Sequence, residues 1–201
     1  AAHDFFEKTV DSDLPYASSA SYSRKVSDYL NITRVIARIP NVPGTNNPDP
    51  VIRSLSTAAK FRPRPSSDYC SYFALCAPEF ERSTAESIRR IFKRTVDLDV
   101  VPPAGPSTTH IRFSRLSHFI NCHSVANSPE FYGGKGSGEG LAVAMTSAQV
   151  AAEAAEEILV VSECCFGAQL YDPKDAQGAV PICISYVAAG CLGYLGSTNT
   201  A

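Results

Sequence analysis

An α/β domain on a mainly parallel sheet, with helices covering both faces, is the fold class this sequence predicts. Two observations carry that expectation. Five short runs are strand-like and mostly uniformly apolar, as strands buried on both faces must be. Between them lie segments with apolar residues at helical spacing or a helix-prone composition. The 201 residues allow one domain with a sizeable core.

The first 30 residues mix small and polar types and read as an irregular segment with short elements at most. Residues 32–39 are β-branched and apolar enough for a strand, closed by Pro40. Residues 43–50 form a loop of Gly, Asn, Asp and Pro. Val51, Ile52, Leu55, Ala58 and Ala59 then recur at helical spacing, with Asp49 as cap and Pro50 at the first helical position. Prolines 63 and 65 make residues 61–67 irregular, and residues 72–77 are the next strand. Ser83 and Glu86 match a capping box for a helix reaching about Lys93, with Ile88, Ile91 and Phe92 as its apolar face. A proline-containing linker at 102–106 leads to a strand at 118–121. Residues 131–140 hold five glycines and no large aliphatic side chain, so a mobile surface loop is expected there. Residues 142–156 are alanine-rich and predict a helix, followed at once by a strand at 158–162. A helix at 178–188 and a last strand at 191–195 complete the pattern.

Bulk properties exclude several classes. A net charge of −2 gives no reason to expect nucleic acid or an anionic membrane as partner. No apolar run approaches the roughly 20 residues a membrane-spanning helix needs. Seven cysteines, several inside apolar runs and none in a C-x-x-C pair, resemble neither a disulfide scaffold nor a zinc site. They lean toward reduced, cytoplasmic surroundings, with a secreted or cell-surface thiol enzyme left open. No cofactor and no metal is expected. The chain starts at Ala1-Ala2-His3 without methionine, and its last strand stops close to residue 201. A piece of a longer protein is therefore expected, with a further chain or domain completing the fold.

The chemistry is concentrated at two strand ends. The run at 158–162 ends in Glu163-Cys164-Cys165-Phe166-Gly167, and the run at 118–121 ends in Cys122-His123-Ser124. In parallel sheets, active groups sit beyond the carboxyl ends of the strands. A thiol with pKa near 8.5 is only a few per cent thiolate at neutral pH, so a nearby imidazole raises its reactivity. Adjacent strands lie about 4.8 Å apart, which lets groups at their ends share one scissile carbonyl. Gly167 permits a tight turn whose N–H groups face a developing oxyanion. Asn121 shares a strand face with His123 and is a candidate to orient the imidazole. His118 reads as a packed residue, and Cys122 as a core filler. Asp172 and Asp175 read as a solvated loop, or as negative charge for a basic substrate side chain; Glu139 is a candidate lid contact.

These residues resemble a known clan. Glu163-Cys164-Cys165-Phe166-Gly167 is similar to the Glu/Gln-Ala-Cys-x-Gly signature of caspase- and legumain-like cysteine peptidases, and Cys122-His123-Ser124 to their strand-ending His-Gly. Residues 35–40, 168–172 and 190–198 resemble the gingipain-type branch. The matches run in the family's order over most of the chain. The resemblance implies a three-layer caspase-like fold in a single peptidase domain over residues 1–201. It implies endopeptidase action on a peptide or protein substrate through a thioester acyl-enzyme. Cys165 would be the nucleophile and His123 the general base, with the N–H groups of Cys165 and Ser124 as oxyanion hole. Two departures stand out. Ser124 replaces the family's glycine, and Cys164 its alanine. Cys-x-Gly spacing selects Cys165, whereas Cys-x-x-Gly spacing would select Cys164; the expectation takes Cys165. A thiol amidase or transpeptidase on the same scaffold, and a catalytically silent binding domain, remain as alternatives.

Overall fold

The protein is described by a computed structural model covering residues 13–29, 31–94, 96–136, 138 and 140–200. It divides into two units, residues 1–39 and 40–201. In the first, α1 (Leu14–Ala17) is a single turn, and a 3₁₀ turn spans Val26–Tyr29. An antiparallel bridge joins Ser18 to Ile32, and Arg38 pairs with Asp13 at 2.7 Å. The strand expected at 32–39 does not form. Among the described residues no neighbouring strand offers a ladder beyond Ile32, and the Val35 side chain is fully exposed. β-branched residues favour a strand only on a pleated, half-buried surface, which this segment lacks.

The second unit holds the sheet. Strands β1 (Tyr72–Cys76), β2 (Asp99–Val100) and β3 (Ser117–Asn121) are followed by the pair β4 (Glu130–Lys135) and β5 (Leu141–Thr146), then β6 (Leu159–Ser162) and β7 (Gly193–Gly196). Five of them form a parallel sheet in the order β2-β1-β3-β6-β7, while β4 and β5 pair antiparallel as a separate ribbon. The helices are α2 (Asp49–Lys60), α3 (Glu81–Phe92), α4 (Pro106–Thr109), α5 (Ser147–Glu153) and α6 (Ile182–Ala189). Side chains of β1 alternate between two cores, as period-2 geometry requires. Tyr72 and Ala74 pack with Ile88 of α3 and with Phe119. Phe73 and Leu75 pack on the other face with Ile120, Val160, Val150 of α5 and Tyr186 of α6. The result is three layers, helix–sheet–helix, with every residue of β1 and β3 buried. Complete burial of side chains such as Phe73, Leu75 and Ile120 contributes about 1.5–3 kcal/mol each.

Several elements depart from the sequence expectation for identifiable reasons. Helix α2 has Pro48, not Asp49, at its cap position and no side-chain cap, while Asn47 Oδ1 accepts from the Asp49 N–H at 2.9 Å. Its expected apolar face is turned outward, with Ile52 and Leu55 each 55% exposed, while Pro50 is buried and Arg53 bonds Ala189 O beside α6. The capping box at Ser83 is not made. A 3₁₀ turn at Pro78–Phe80 starts the helical course earlier, so Ser83 and Thr84 lie inside α3 and both donate back to Phe80 O. Glu86 instead pairs with Arg90 four residues on, at 2.8 Å.

The largest correction concerns residues 131–156. The expected mobile loop is strand as far as Lys135, and the start of the expected helix is β5, leaving α5 only seven residues. At Gly133 the missing side chain serves close backbone approach. A Cβ on Gly133 would lie 2.2 Å from Val101 O, and the Gly134 N–H donates to that oxygen at 2.8 Å. Thr146 then caps α5, its Oγ1 accepting from the Gln149 N–H at 3.0 Å. Glu139 lies outside the described residues, as do residues 1–12.

Candidate active site

Strands β3 and β6 are parallel neighbours in the middle of the sheet, with Ile120 opposite Ser162. The pairing runs past the strand ends, since the Glu163 N–H donates to Ile120 O at 2.7 Å. Side chains there sort by face. Asn121 Nδ2 donates to Thr84 Oγ1 at 3.1 Å and to Glu163 Oε2 at 3.3 Å, which puts residues 121 and 163 on the α3 side. One step on, Cys122 and Cys164 both face the larger core on the opposite side. Cys164 is completely buried, and its sulfur accepts from the Cys122 N–H at 3.3 Å. Burial pushes its thiol pKa up to about 11.

His123 and Cys165 come next, each three residues past the last register pair of its strand. Both are half-buried. The imidazole of His123 lies on the α3 side: its Nε2 is 3.6 Å from Glu79 Oε2, and its ring centroid is 4.9 Å from that of Phe80. Its backbone is held by a two-way hydrogen-bonded pair with Tyr132 of β4, both bonds 2.8 Å. Glu79 and Phe80 reach it because the 3₁₀ turn after β1 sits at the same edge of the sheet. A carboxylate at this distance attracts an imidazolium without a formed hydrogen bond.

Cys165 starts a tight turn. Phe166 takes a left-handed conformation with φ of 53°, and the Gly167 N–H returns to Cys164 O at 3.1 Å. That N–H is therefore engaged within the turn. What the turn needs from Gly167 is the absence of a side chain, for a Cβ would stand 2.5 Å from Ser162 Oγ. The turn is held from outside by Phe166 N–H to Asn199 O (2.8 Å), Ala168 N–H to Ser197 O (2.7 Å) and Tyr194 OH to Gly167 O (2.7 Å). A cross-tie links the two site loops, the Asn127 N–H donating to Gln169 Oε1 at 2.8 Å.

Other candidates fall as follows. Ser124 is half-buried beside His123, with its hydroxyl 3.5 Å from Val125 O. Asn121 does not orient the imidazole; its amide ties β3 to α3 and to Glu163. The carboxylate facing the ring is that of Glu79, 3.6 Å from Nε2. Its signal in the sequence was its position just after the carboxyl end of a buried strand. His118 is buried against Phe73, Phe113 and Tyr186, and burial pushes its pKa down to about 3. Asp172 caps a short turn, its Oδ1 accepting from the Lys174 N–H at 3.0 Å. A depression of about 380 Å³, lined by Pro78, Glu79, Glu81, Arg82, Ala85 and Arg89, adjoins the His123 side.

Among the described residues no cluster of three or more His, Cys, Asp or Glu side chains could hold a metal ion, and no helix is long and apolar enough to cross a membrane. Comparison with protein-family models, with curated proteins and with solved structures finds no match to this chain.

Proposed function

We propose that the chain is a cysteine endopeptidase of caspase-like fold, with Cys165 as nucleophile and His123 as general base and acid. The observation that carries this reading is the equal reach of the two residues beyond the carboxyl ends of adjacent parallel strands, while Cys164 turns into the core. A half-buried thiol at the mouth is a better nucleophile than a buried one whose pKa is raised to about 11.

In this mechanism His123 takes the Cys165 proton and the thiolate attacks the scissile carbonyl carbon. The tetrahedral oxyanion is received by the N–H groups of Cys165 and Ser124, each such donor being worth about 10²–10³ in rate. The His123 imidazolium, with the Glu79 carboxylate 3.6 Å from its Nε2, protonates the leaving amine as the C–N bond breaks. A thioester on Cys165 remains, and water activated by His123 hydrolyses it and restores the thiol. A protein or peptide is the substrate. Attack on the thioester by an amine in place of water would make the same site a transpeptidase.

The test combines labelling with a peptide library scanned position by position. Iodoacetamide at neutral pH is expected to modify Cys165 ahead of the other six cysteines. Cys165→Ala and His123→Ala should each abolish cleavage, and Cys164→Ala should retain it. Turnover lost in Cys164→Ala but kept in Cys165→Ala would move the nucleophile by one residue. A native protein alkylated at neither position, and inert on the library, would leave only a binding domain on this fold.

A further inference from the structure

Cys164 stands where the resemblance expects alanine, and the proposed mechanism gives it no role. Three buried cysteines lie at the carboxyl ends of neighbouring strands: Cys76 on β1, Cys122 after β3 and Cys164 after β6. They do not share one face. Cys76 continues the Tyr72–Ala74 side, under α3, and its thiol meets Thr84. Cys122 and Cys164 both belong to the opposite core and stand directly across from each other, each two residues past Ile120 and Ser162. The Cys164 sulfur already leans across the gap, 3.3 Å from the Cys122 N–H and 3.9 Å from Ile120 O. Residues opposed on neighbouring strands have Cα atoms about 4.8 Å apart, inside the 4.4–6.8 Å window a disulfide needs.

We propose that Cys122 and Cys164 form an oxidisable dithiol whose disulfide clamps β3 to β6 directly beneath the two residues assigned to catalysis. The oxidant is a hydroperoxide small enough to enter the strand ends. One thiolate attacks the peroxide oxygen, the O–O bond breaks and a sulfenic acid forms with release of water or alcohol. The second sulfur then attacks that sulfenic sulfur and expels water. Two thiols lose two hydrogens, and the peroxide is reduced. Both thiols are held largely un-ionised by burial, so the reaction is slow at neutral pH and faster in alkali. Cys165 is a poor alternative partner for Cys164, because it sits half-buried in the turn that follows while Cys164 faces the core. The inference uses the proposed function only to say what lies above the clamp. The bond itself stands or falls without any activity.

The experiment uses the full chain carrying Cys165→Ser, treated with hydrogen peroxide and digested with trypsin without reduction. Cys122 and Cys164 fall in different tryptic peptides, residues 116–135 and 136–174. The expected product is these two joined, 2 Da lighter than their sum, and released by reductant. Peroxide should also raise the melting temperature by roughly 5–10 °C, and Cys122→Ser should remove both signals. Joined peptides involving Cys76 or Cys183 instead, or both thiols still alkylatable after unfolding the peroxide-treated protein, would overturn the proposal. Since Cys165 is absent throughout, failure of the peptidase reading leaves this result unaffected.

Discussion

Glu79 lies on the turn after β1, beside the end of β3. Its carboxylate sits 3.6 Å from His123 Nε2, on a pair that is about half exposed. Solvent screens such pairs, and their measured worth is at most about 1 kcal/mol. Glu79→Gln is therefore expected to lower kcat/KM by no more than about fivefold, with KM little changed, whereas His123→Ala removes turnover. Steady-state kinetics on the best library peptide separates the two; a loss above a hundredfold in Glu79→Gln would make the carboxylate a proton carrier. The strand ends that carry Cys165 and His123 were legible in the sequence, because a buried apolar run marks its own end. Glu79 was not, since only the fold brings the turn after β1 beside the end of β3. The inward direction of Cys164 follows from strand alternation once the register is known.

At the scale of elements, β1, β3 and β6 were readable because residues 72–77, 118–121 and 158–162 are apolar on both faces. The ribbon of β4 and β5 was hidden by its glycines, which look like loop residues until the neighbouring backbone of Val101 is in place. Helix α2 shows the opposite failure: its periodicity is real, but neither Ile52 nor Leu55 marks the covered side. The β2 strand, with two residues, is too short to leave any pattern. Close approach at Gly133 makes a firm prediction. A methyl group there meets the Val101 carbonyl at 2.2 Å, and that atom belongs to the backbone. Gly133→Ala should destabilise the protein by about 1–3 kcal/mol, read as a lower urea midpoint. An unchanged midpoint would mean that the ribbon slides away from Val101 without cost.

For the whole molecule, the buried His118 ties stability to pH. Its Nδ1 is hydrogen-bonded to Tyr186 Oη at 2.8 Å, and that hydroxyl donates to Met145 Sδ at 3.6 Å. Burial lowers the pKa from 6.5 to about 3, so the folded protein keeps a neutral ring where the unfolded chain has already taken a proton. The associated stability is complete above pH 6.5 and is lost progressively as pH falls toward 3. The slope from this one residue approaches about 1.4 kcal/mol per pH unit within that window. His118→Gln should flatten urea-derived stability between pH 6.5 and 5 by close to one proton. Equal slopes in the two proteins would place the acid sensitivity elsewhere. The hold of Asn199 and Ser197 on residues 166 and 168 carries a practical corollary. Those late positions act as a buckle on the bend that follows Cys165, so trimming the polypeptide ahead of Ser197 strips two carbonyl anchors from it. Such a shortened form would slacken the thiol's setting while the sheet beneath kept its order.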